Sequence, residues 1–259
     1  MTTAEVRIAG RPFTVSTAAE PSRRHWLSDA AERFEPETEA FLAAALAPGD
    51  RLLDIGAWLG PISLAAVAMG AAGVVALEPD PVAFAELERN LALDEIDAVA
   101  RRAAVDAAPG ELTLHGFKGL GSSNTSALRR AADAAPADSF TVPAITLPEA
   151  LALVPGAGPV VTKIDVEGHE YALAEAIAAH LREPRVKALH LALHPGILWR
   201  AARAEGRGLA ARRDLAHRSA ALVAALAESG TPSLTPSEIR RRILFSWKVP
   251  NLNLSVIKP

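Results

Sequence analysis

Short unbroken apolar runs alternate along this chain with longer stretches in which apolar positions recur every three or four residues. The runs RLLDI (51–55), GVVALE (73–78), PVVTKI (159–164) and RVKALHLAL (185–193) read as strands buried on both faces. Between and around them, FEPETEAFLAAALAPGD (34–50), PISLAAVAMG (61–70) and PVAFAELERNLALD (81–94) carry helical spacing. Pro36 and Pro81 suit first helical positions, and Asp80 suits an N-cap. Strand–helix alternation of this kind calls for a parallel sheet with helices on both faces. The middle of the chain is less regular. AVARRAAVD (98–106), ELTLHG (111–116) and SFTVPAI (139–145) read as strands, a glycine and serine loop follows the second, and TLPEALALV opens with Thr146 and Glu149 at capping-box spacing. After residue 194 comes a helical, arginine-rich segment. RILFSWKVPNLNLSVIKP (242–259) then reads as two strands joined at Pro250 and Asn251.

The expected architecture is therefore α/β: a doubly wound, Rossmann-like, mostly parallel sheet of seven strands with a C-terminal antiparallel hairpin. A small N-terminal extension precedes it. Residues 1–35 form a hairpin, VRIAG and RPFTVST, and a helical preface, SRRHWLSDAAERF; residues 36–259 form the main domain. With 259 residues, half of them hydrophobic, a sizeable core is available without staples. The absence of cysteine removes disulfides and thiolate chemistry. A formal charge of −3 argues against a nucleic-acid partner, and neither a signal-peptide pattern nor a bilayer-length apolar run is present. The expectation is a cytoplasmic protein.

In an open parallel sheet ligands sit beyond the carboxyl ends of the strands, so Asp54, Glu78, Asp165 and His194 should line one rim. The turn DIGAWLG (54–60) has Trp58 where a dinucleotide fingerprint needs its second glycine, which disfavours a pyrophosphate. Asp54 beside Gly56 and Gly60 suits instead a ligand with ammonium and sulfonium groups, and Glu78 can accept from two ribose hydroxyls. S-adenosylmethionine fits both. The competing readings are an N-cap for Asp54 and a solvated strand end for Glu78.

FEPET, DIGAWLGPISL, ALEPDPVAFAELERNLALD, GSS, TL and KIDVEGHE, in that order, resemble the FkbM-type methyltransferases, a branch of the class I S-adenosylmethionine-dependent enzymes. The resemblance implies methylation of a hydroxyl on a sugar, glycan or natural-product metabolite. It implies a cofactor turn of Asp54, Gly56, Trp58 and Gly60, with Glu78 on the ribose, the stretch from Ala104 to Asp106 at the adenine, and Thr38 or Glu37 near the methionine end. Many relatives carry an acidic residue within the strand corresponding to LHLALHP, where this chain has Ala192.

A hydroxyl needs help in losing its proton. His194 is the expected general base and Asp165 the residue that positions the acceptor, with Glu167 as a substrate contact; His190 is expected to be buried and satisfied. Asp165 serves equally well as a helix N-cap, and His194 as a histidine closing the sheet end. No local spacing favours a metal. The arginines from Arg200 to Arg218 suit a solvated face, or a docking surface for an anionic or carrier-linked acceptor. A nicotinamide-dependent oxidoreductase and a catalytically silent nucleoside-binding module are the alternatives.

Overall fold

The structure, a computed structural model, describes residues 2–28, 34–116, 119–128 and 139–259. Residues 29–33 of the expected helical preface lie outside them. The central sheet is built from β3 (Arg51–Ile55), β4 (Gly73–Leu77), β5 (Ala98–Arg101), β10 (Val160–Ile164), β11 (Val186–Leu193), β12 (Thr231–Pro232) and β13 (Leu252–Ile257). Their order is β12-β13-β11-β10-β3-β4-β5, with β11, β10, β3, β4 and β5 parallel and β13 antiparallel to both β11 and β12. The reversal of order beside β3 opens the crevice that open α/β sheets use for ligands.

Helices cover both faces. On one lie α2 (Pro36–Ala45), α3 (Pro61–Ala68) and α4 (Pro81–Leu93), whose apolar side chains share a core with Leu52, Val74, Ala76 and Val161. On the other lie α5 (Leu147–Ala152), α6 (Ala174–Arg182), α8 (Gly208–Ala227) and α9 (Pro236–Phe245), packed with Leu53, Val75, Ile164 and Leu191. The alternation of Leu52 to one core and Leu53 to the other is the period-two signature of a strand buried on both sides. Caps fall where the sequence puts them. Asp80 accepts from the amides of Val82 and Ala83, and Thr146–Glu149 and Thr235–Glu238 both close capping boxes.

The N-terminal hairpin, β1 (Thr3–Ile8) and β2 (Arg11–Ser16), is tied to α4: the amides of Thr14 and Ser16 donate to Asp94 and Asn90. Phe13, Val15 and Trp26, the last in α1 (Glu20–Trp26), join the α2–α4 core.

Two features differ from the sequence reading. The strand region 98–106 divides, because Arg101 ends β5 and Ala104–Val105 (β6) leaves the central sheet. β6 pairs with β9 (Ser139–Ile145), and β9 with β7 (Gly110–Gly116), which carries β8 (Thr125–Ser126), giving a separate four-stranded sheet. The C-terminal hairpin is replaced by helix and strand: RILF completes α9, whose capping box at Thr235 sets its phase, and only Leu252–Ile257 is a strand. Residues such as Ile243, Leu244 and Phe245 are as compatible with the last turn of a helix as with a strand, and the cap decides.

Candidate functional site

Between β3 and α3 the chain makes a tight turn with Gly56, Trp58 and Gly60 all at positive φ (79°, 51° and 91°). A side chain at Gly56 is impossible, since a Cβ there would lie 1.9 Å from the Asp165 carbonyl oxygen. The turn's amides are consumed internally. Gly56 and Ala57 N–H both donate to Leu77 O, Gly60 N–H donates to Ala57 O, and Trp58 N–H donates to Glu78 Oε2 at 2.8 Å. None of these four amides is left for a phosphate, the service such a turn performs in dinucleotide folds.

This turn forms one wall of a cavity lined by residues from the ends of β3, β4 and β10 and from the β6–β9 sheet. Glu78 reaches it from the end of β4, buried, its carboxylate also accepting from Asp80 N–H (2.8 Å). Burial pushes its pKa up to about 8 despite those two backbone donors. Ala103, Ala104, Val105, Leu112 and Leu114 make an apolar side of the same cavity, suited to a flat aromatic base. The glycine–serine loop closes over it. Trp58 Nε1 donates to Gly121 O (2.8 Å), Gly121 N–H donates to Asp80 Oδ2 (2.8 Å), and Ser122, Ser123 and Thr125 face the cavity.

The other end is acidic. Glu35, Asp165 and Glu167 line it, with Lys163 beneath. Glu35 stands at the start of α2 with φ +48°, and Glu167 has the same strained φ, an uncommon conformation for a side-chain-bearing residue that clusters at functional sites. Burial raises the Glu35 pKa, against the pull of Lys163. Lys163 itself is buried: Nζ donates to Gly56 O (2.7 Å) and lies 3.5 Å from Asp54 and 3.9 Å from Asp165. Burial alone would lower its pKa, but Asp54, Glu35, Asp165 and Glu78 together prevail and keep it charged.

Several expected residues take other positions. Asp54 is fully buried behind the turn, where it accepts from Ser63 Oγ (2.7 Å) and faces Lys163; it supports the turn and is absent from the cavity wall. Gly60 also stands back from the cavity, and its positive φ lets the chain enter α3 against Leu87. Thr38 is buried beneath Glu35. Its hydroxyl donates to Glu35 Oε2 (2.9 Å) and lies 3.1 Å from His190 Nε2, so it sets Glu35 in place instead of reaching the cavity. His190 is buried and bonded to Ser255 Oγ as well, as the sequence suggests, and burial pushes its pKa down to about 4.

His194, the expected general base, is buried and stands outside the cavity wall. Its Nδ1 donates to the buried Glu170 Oε1 (2.8 Å), and its Nε2 lies 3.7 Å from both Asp165 and Glu167. Burial alone would lower its pKa, but the bond to Glu170 and the charges of Asp165, Glu170 and Glu167 outweigh that, pushing it up to about 10. A pKa raised in this direction favours the imidazolium at neutral pH and disfavours the ring as a proton acceptor. Glu170, in the helical turn that follows Gly168, accepts from Gly168 N–H (3.0 Å) and from His194. Asp165, Glu170 and His194 each place a potential ligand atom within 4.8 Å of the others, a donor set with the chemistry for a divalent ion. Of the residues placed at strand ends, Glu78 and Asp165 line the cavity and Asp54 and His194 do not; Glu167, expected as a substrate contact, lines it too. Strand-end placement missed Glu35, Lys163 and His169, the last bonded through Nε2 to Asp106 (3.0 Å); of these, Glu35 had a signal in FEPET, directly before a helix-initiating proline.

The Methyltransferase FkbM domain family matches residues 50–180, just over half of the chain, which therefore belongs to that family. Curated relatives are similar over short stretches. A ribosomal protein L11 methyltransferase of Bacillus cytotoxicus is 41% identical over 58 residues, 22% of this chain and 19% of the relative; its Bacillus cereus counterpart is 34% identical over 76 residues, 28% and 24%. The chain thus matches about a fifth to a quarter of the length of these relatives. Among solved structures, a ribosomal protein L11 methylase from Lactobacillus delbrueckii subsp. bulgaricus is similar with a TM-score of 0.39 and 14% identity, covering 88% of this chain and 79% of that one. A precorrin-6y C5,15-methyltransferase from Geobacter metallireducens GS-15 has a TM-score of 0.36 and 14% identity over 71% of each chain.

Proposed function

We propose that this protein is an S-adenosylmethionine-dependent O-methyltransferase acting on a hydroxyl of a sugar, glycan or natural-product metabolite. The observation that carries the cofactor reading is the polarity of the cavity. Its turn amides are spent internally, and its far end presents the carboxylates of Glu35, Asp165 and Glu167. Such a site repels a pyrophosphate and attracts a ligand with ammonium and sulfonium charges, which disfavours a nicotinamide dinucleotide. The residues fit S-adenosylmethionine. Glu78 would hold the ribose hydroxyls, Ala104 and its apolar neighbours the adenine, and the acidic end the methionine portion. When bound, that cofactor supplies an electrophilic methyl group on sulfur.

The protein's own task is then to align an acceptor oxygen, exclude water and take up its proton. Asp165 and Glu167 orient the hydroxyl, held apart and charge-balanced by Lys163 and the His194 imidazolium. Glu35, the carboxylate of this end whose pKa burial raises, accepts the proton. The hydroxyl acceptor itself is supported by the family resemblance, and a cytoplasmic setting with a small-molecule or carrier-linked acceptor belongs to the same reading.

Calorimetry with S-adenosylhomocysteine and with NAD tests the cofactor assignment. Transfer of an isotopic methyl group from S-adenosylmethionine to a panel of hydroxylated acceptors tests the activity and separates an enzyme from a silent nucleoside-binding module. Glu35→Gln should lower the methyl-transfer rate by about 10²- to 10⁴-fold while S-adenosylhomocysteine still binds. A variant that turns over normally removes Glu35 from proton transfer.

A further inference from the structure

The chain carries an exposed apolar corner that neither the cavity nor the family assignment uses. Trp247 is 94% exposed, Phe245 81% and Leu209 70%. Arg212, in the first turns of α8 (Gly208–Ala227), donates to the carbonyls of Ile243 and Ser246 and so ties the start of α8 to the end of α9. Leu209 lies one helical turn before Arg212, so it shares the corner with the end of α9. The segment after Trp247 packs on the start of α7 (Pro195–Ala204), where a Cβ on Gly196 would meet Val249 O at 2.6 Å, immediately after His194.

Charge decides what such a corner can meet. From Ile239 to Pro259 the sequence contains no Asp or Glu, and Arg240, Arg241, Arg242 and Lys248 are exposed, with Glu238 at the start of α9 the acidic group facing Arg241 and Arg242. Arg241 stands one turn before Phe245 on the same face of α9, and Lys248 follows Trp247 directly. This cationic stretch belongs to a chain of net charge −3, so the charge is segregated by design of the sequence and not shared by the whole surface. A symmetric self-association through the corner would set this cluster of cations against its own copy. Side chains exposed to this degree stand free of the surface, as wedges, whereas a base-stacking residue lies along a groove that tracks a nucleic-acid backbone. Aromatic wedges ringed by Arg and Lys match the interface of an anionic bilayer, where the rings enter the headgroup boundary and the cations meet the lipid charges.

We propose that the Leu209–Phe245–Trp247 corner with Arg240, Arg241, Arg242 and Lys248 is a peripheral membrane-docking surface for anionic lipid. The docking does not depend on the methyl-transfer reading.

The test is co-sedimentation of the full chain with phosphatidylcholine vesicles and with vesicles containing roughly one third phosphatidylserine, enough for a strongly negative surface. The wild type should sediment with the anionic vesicles and much less with the neutral ones, and high salt should release it. Phe245→Ser/Trp247→Ser should bind anionic vesicles at least ~10-fold more weakly, because two interfacial aromatics are lost. Arg240→Glu/Arg241→Glu should remove the preference for phosphatidylserine. Unchanged circular dichroism and S-adenosylhomocysteine affinity in these exposed-site variants would show that fold and cavity are intact, separating this test from that of the cofactor. Equal sedimentation with and without anionic lipid overturns the proposal, as does binding that survives loss of both aromatics. A concentration-dependent dimer that the aromatic variant dissociates, without vesicle binding, assigns the corner to a second copy and also overturns it. RNA binding lost in the aromatic variant, again without vesicle binding, does the same.

Discussion

Replacing His194 by Gln tests whether this residue is a buried cation or a proton acceptor. In the wild type the imidazolium donates to Glu170 and faces Asp165 and Glu167, all within 3.7 Å, at a site that is nearly closed to solvent. Its folded-state pKa, about 10, lies above the unfolded value of 6.5. The stabilisation from this charge is therefore complete below pH 6.5 and is lost as pH rises through about 10. Converted at 1.36 kcal/mol per pH unit, that shift corresponds to ~5 kcal/mol. Gln can still donate one hydrogen bond to Glu170 but carries no charge, so Glu170, Asp165 and Glu167 lose their common counter-ion. Removing one partner of a buried pair costs about 3–5 kcal/mol. For a chain of this size that is a fall in melting temperature of roughly 10 °C. Thermal unfolding followed by circular dichroism from pH 6 to pH 10 should show the wild type losing stability towards alkaline pH and the variant already lowered at pH 6. NMR of the His194 ring should show no titration between pH 5 and 8. The decisive kinetic measurement is the pH profile of methyl transfer. A general base of ordinary pKa would give a falling rate below pH 6.5 that disappears with His194, whereas an imidazolium of high pKa gives no such limb from this residue. A ring that titrates near 6.5, or an acid limb that vanishes in His194→Gln, would refute the cation assignment and restore the base.

The Glu78 carboxylate should hold its ligand best when ionised, so affinity for S-adenosylhomocysteine should rise as pH passes through about 8. In calorimetry Glu78→Gln should flatten that slope and weaken binding by about 1.5–3 kcal/mol, the scale for hydrogen bonds to a charged group; an unchanged pH dependence would remove Glu78 from the ligand. Gly56→Ala forces a Cβ against the Asp165 carbonyl at 1.9 Å and places alanine at φ +79°. The left-handed backbone alone costs about 1–2 kcal/mol, and relieving the clash must displace Asp165 or the turn. Differential scanning fluorimetry should show a lower melting temperature together with loss of S-adenosylhomocysteine binding; a variant with wild-type affinity would show that the turn and the β10 end are not coupled. Salt should raise KM for an anionic acceptor only if exposed arginines steer it. Arg212 and Arg218 are committed to carbonyls of Ile243, Ser246 and Tyr171, so their substitution should register first in stability and not in KM.

The strands were legible because burial on both faces writes itself as continuous apolar runs, and the helix starts because Asp80, Thr146 and Thr235 carry their caps in the side chain itself. The C-terminal strand pair was not, because Ile243–Phe245 are assigned by a cap seven residues upstream of Arg242, outside the apolar run that suggested a strand. The site divides along the same line. A rule that looks at strand ends finds Glu78 and Asp165 on the cavity wall, since position along a strand fixes which rim a residue reaches. It cannot say whether a rim residue faces inward or is covered, and that distinction separates Asp165 from His194: Asp165 lines the cavity, whereas the imidazole turns to Glu170, two helical residues past the Gly168 turn. Nor can strand-end logic find Glu35, which comes from a helix start and is set by Thr38, itself held by His190 of β11. Two residues, Thr38 three positions along and His190 from a distant strand, thus place one carboxylate. The same logic gives Lys163 its role. In the sequence it is one polar letter in an apolar strand, and in the fold its ammonium ties Gly56 O to Asp54 and Asp165, joining the cofactor turn to the acidic end. A buried lysine with that many acidic neighbours is kept charged by them, and it in turn allows three carboxylates and a strained turn to occupy one cavity wall.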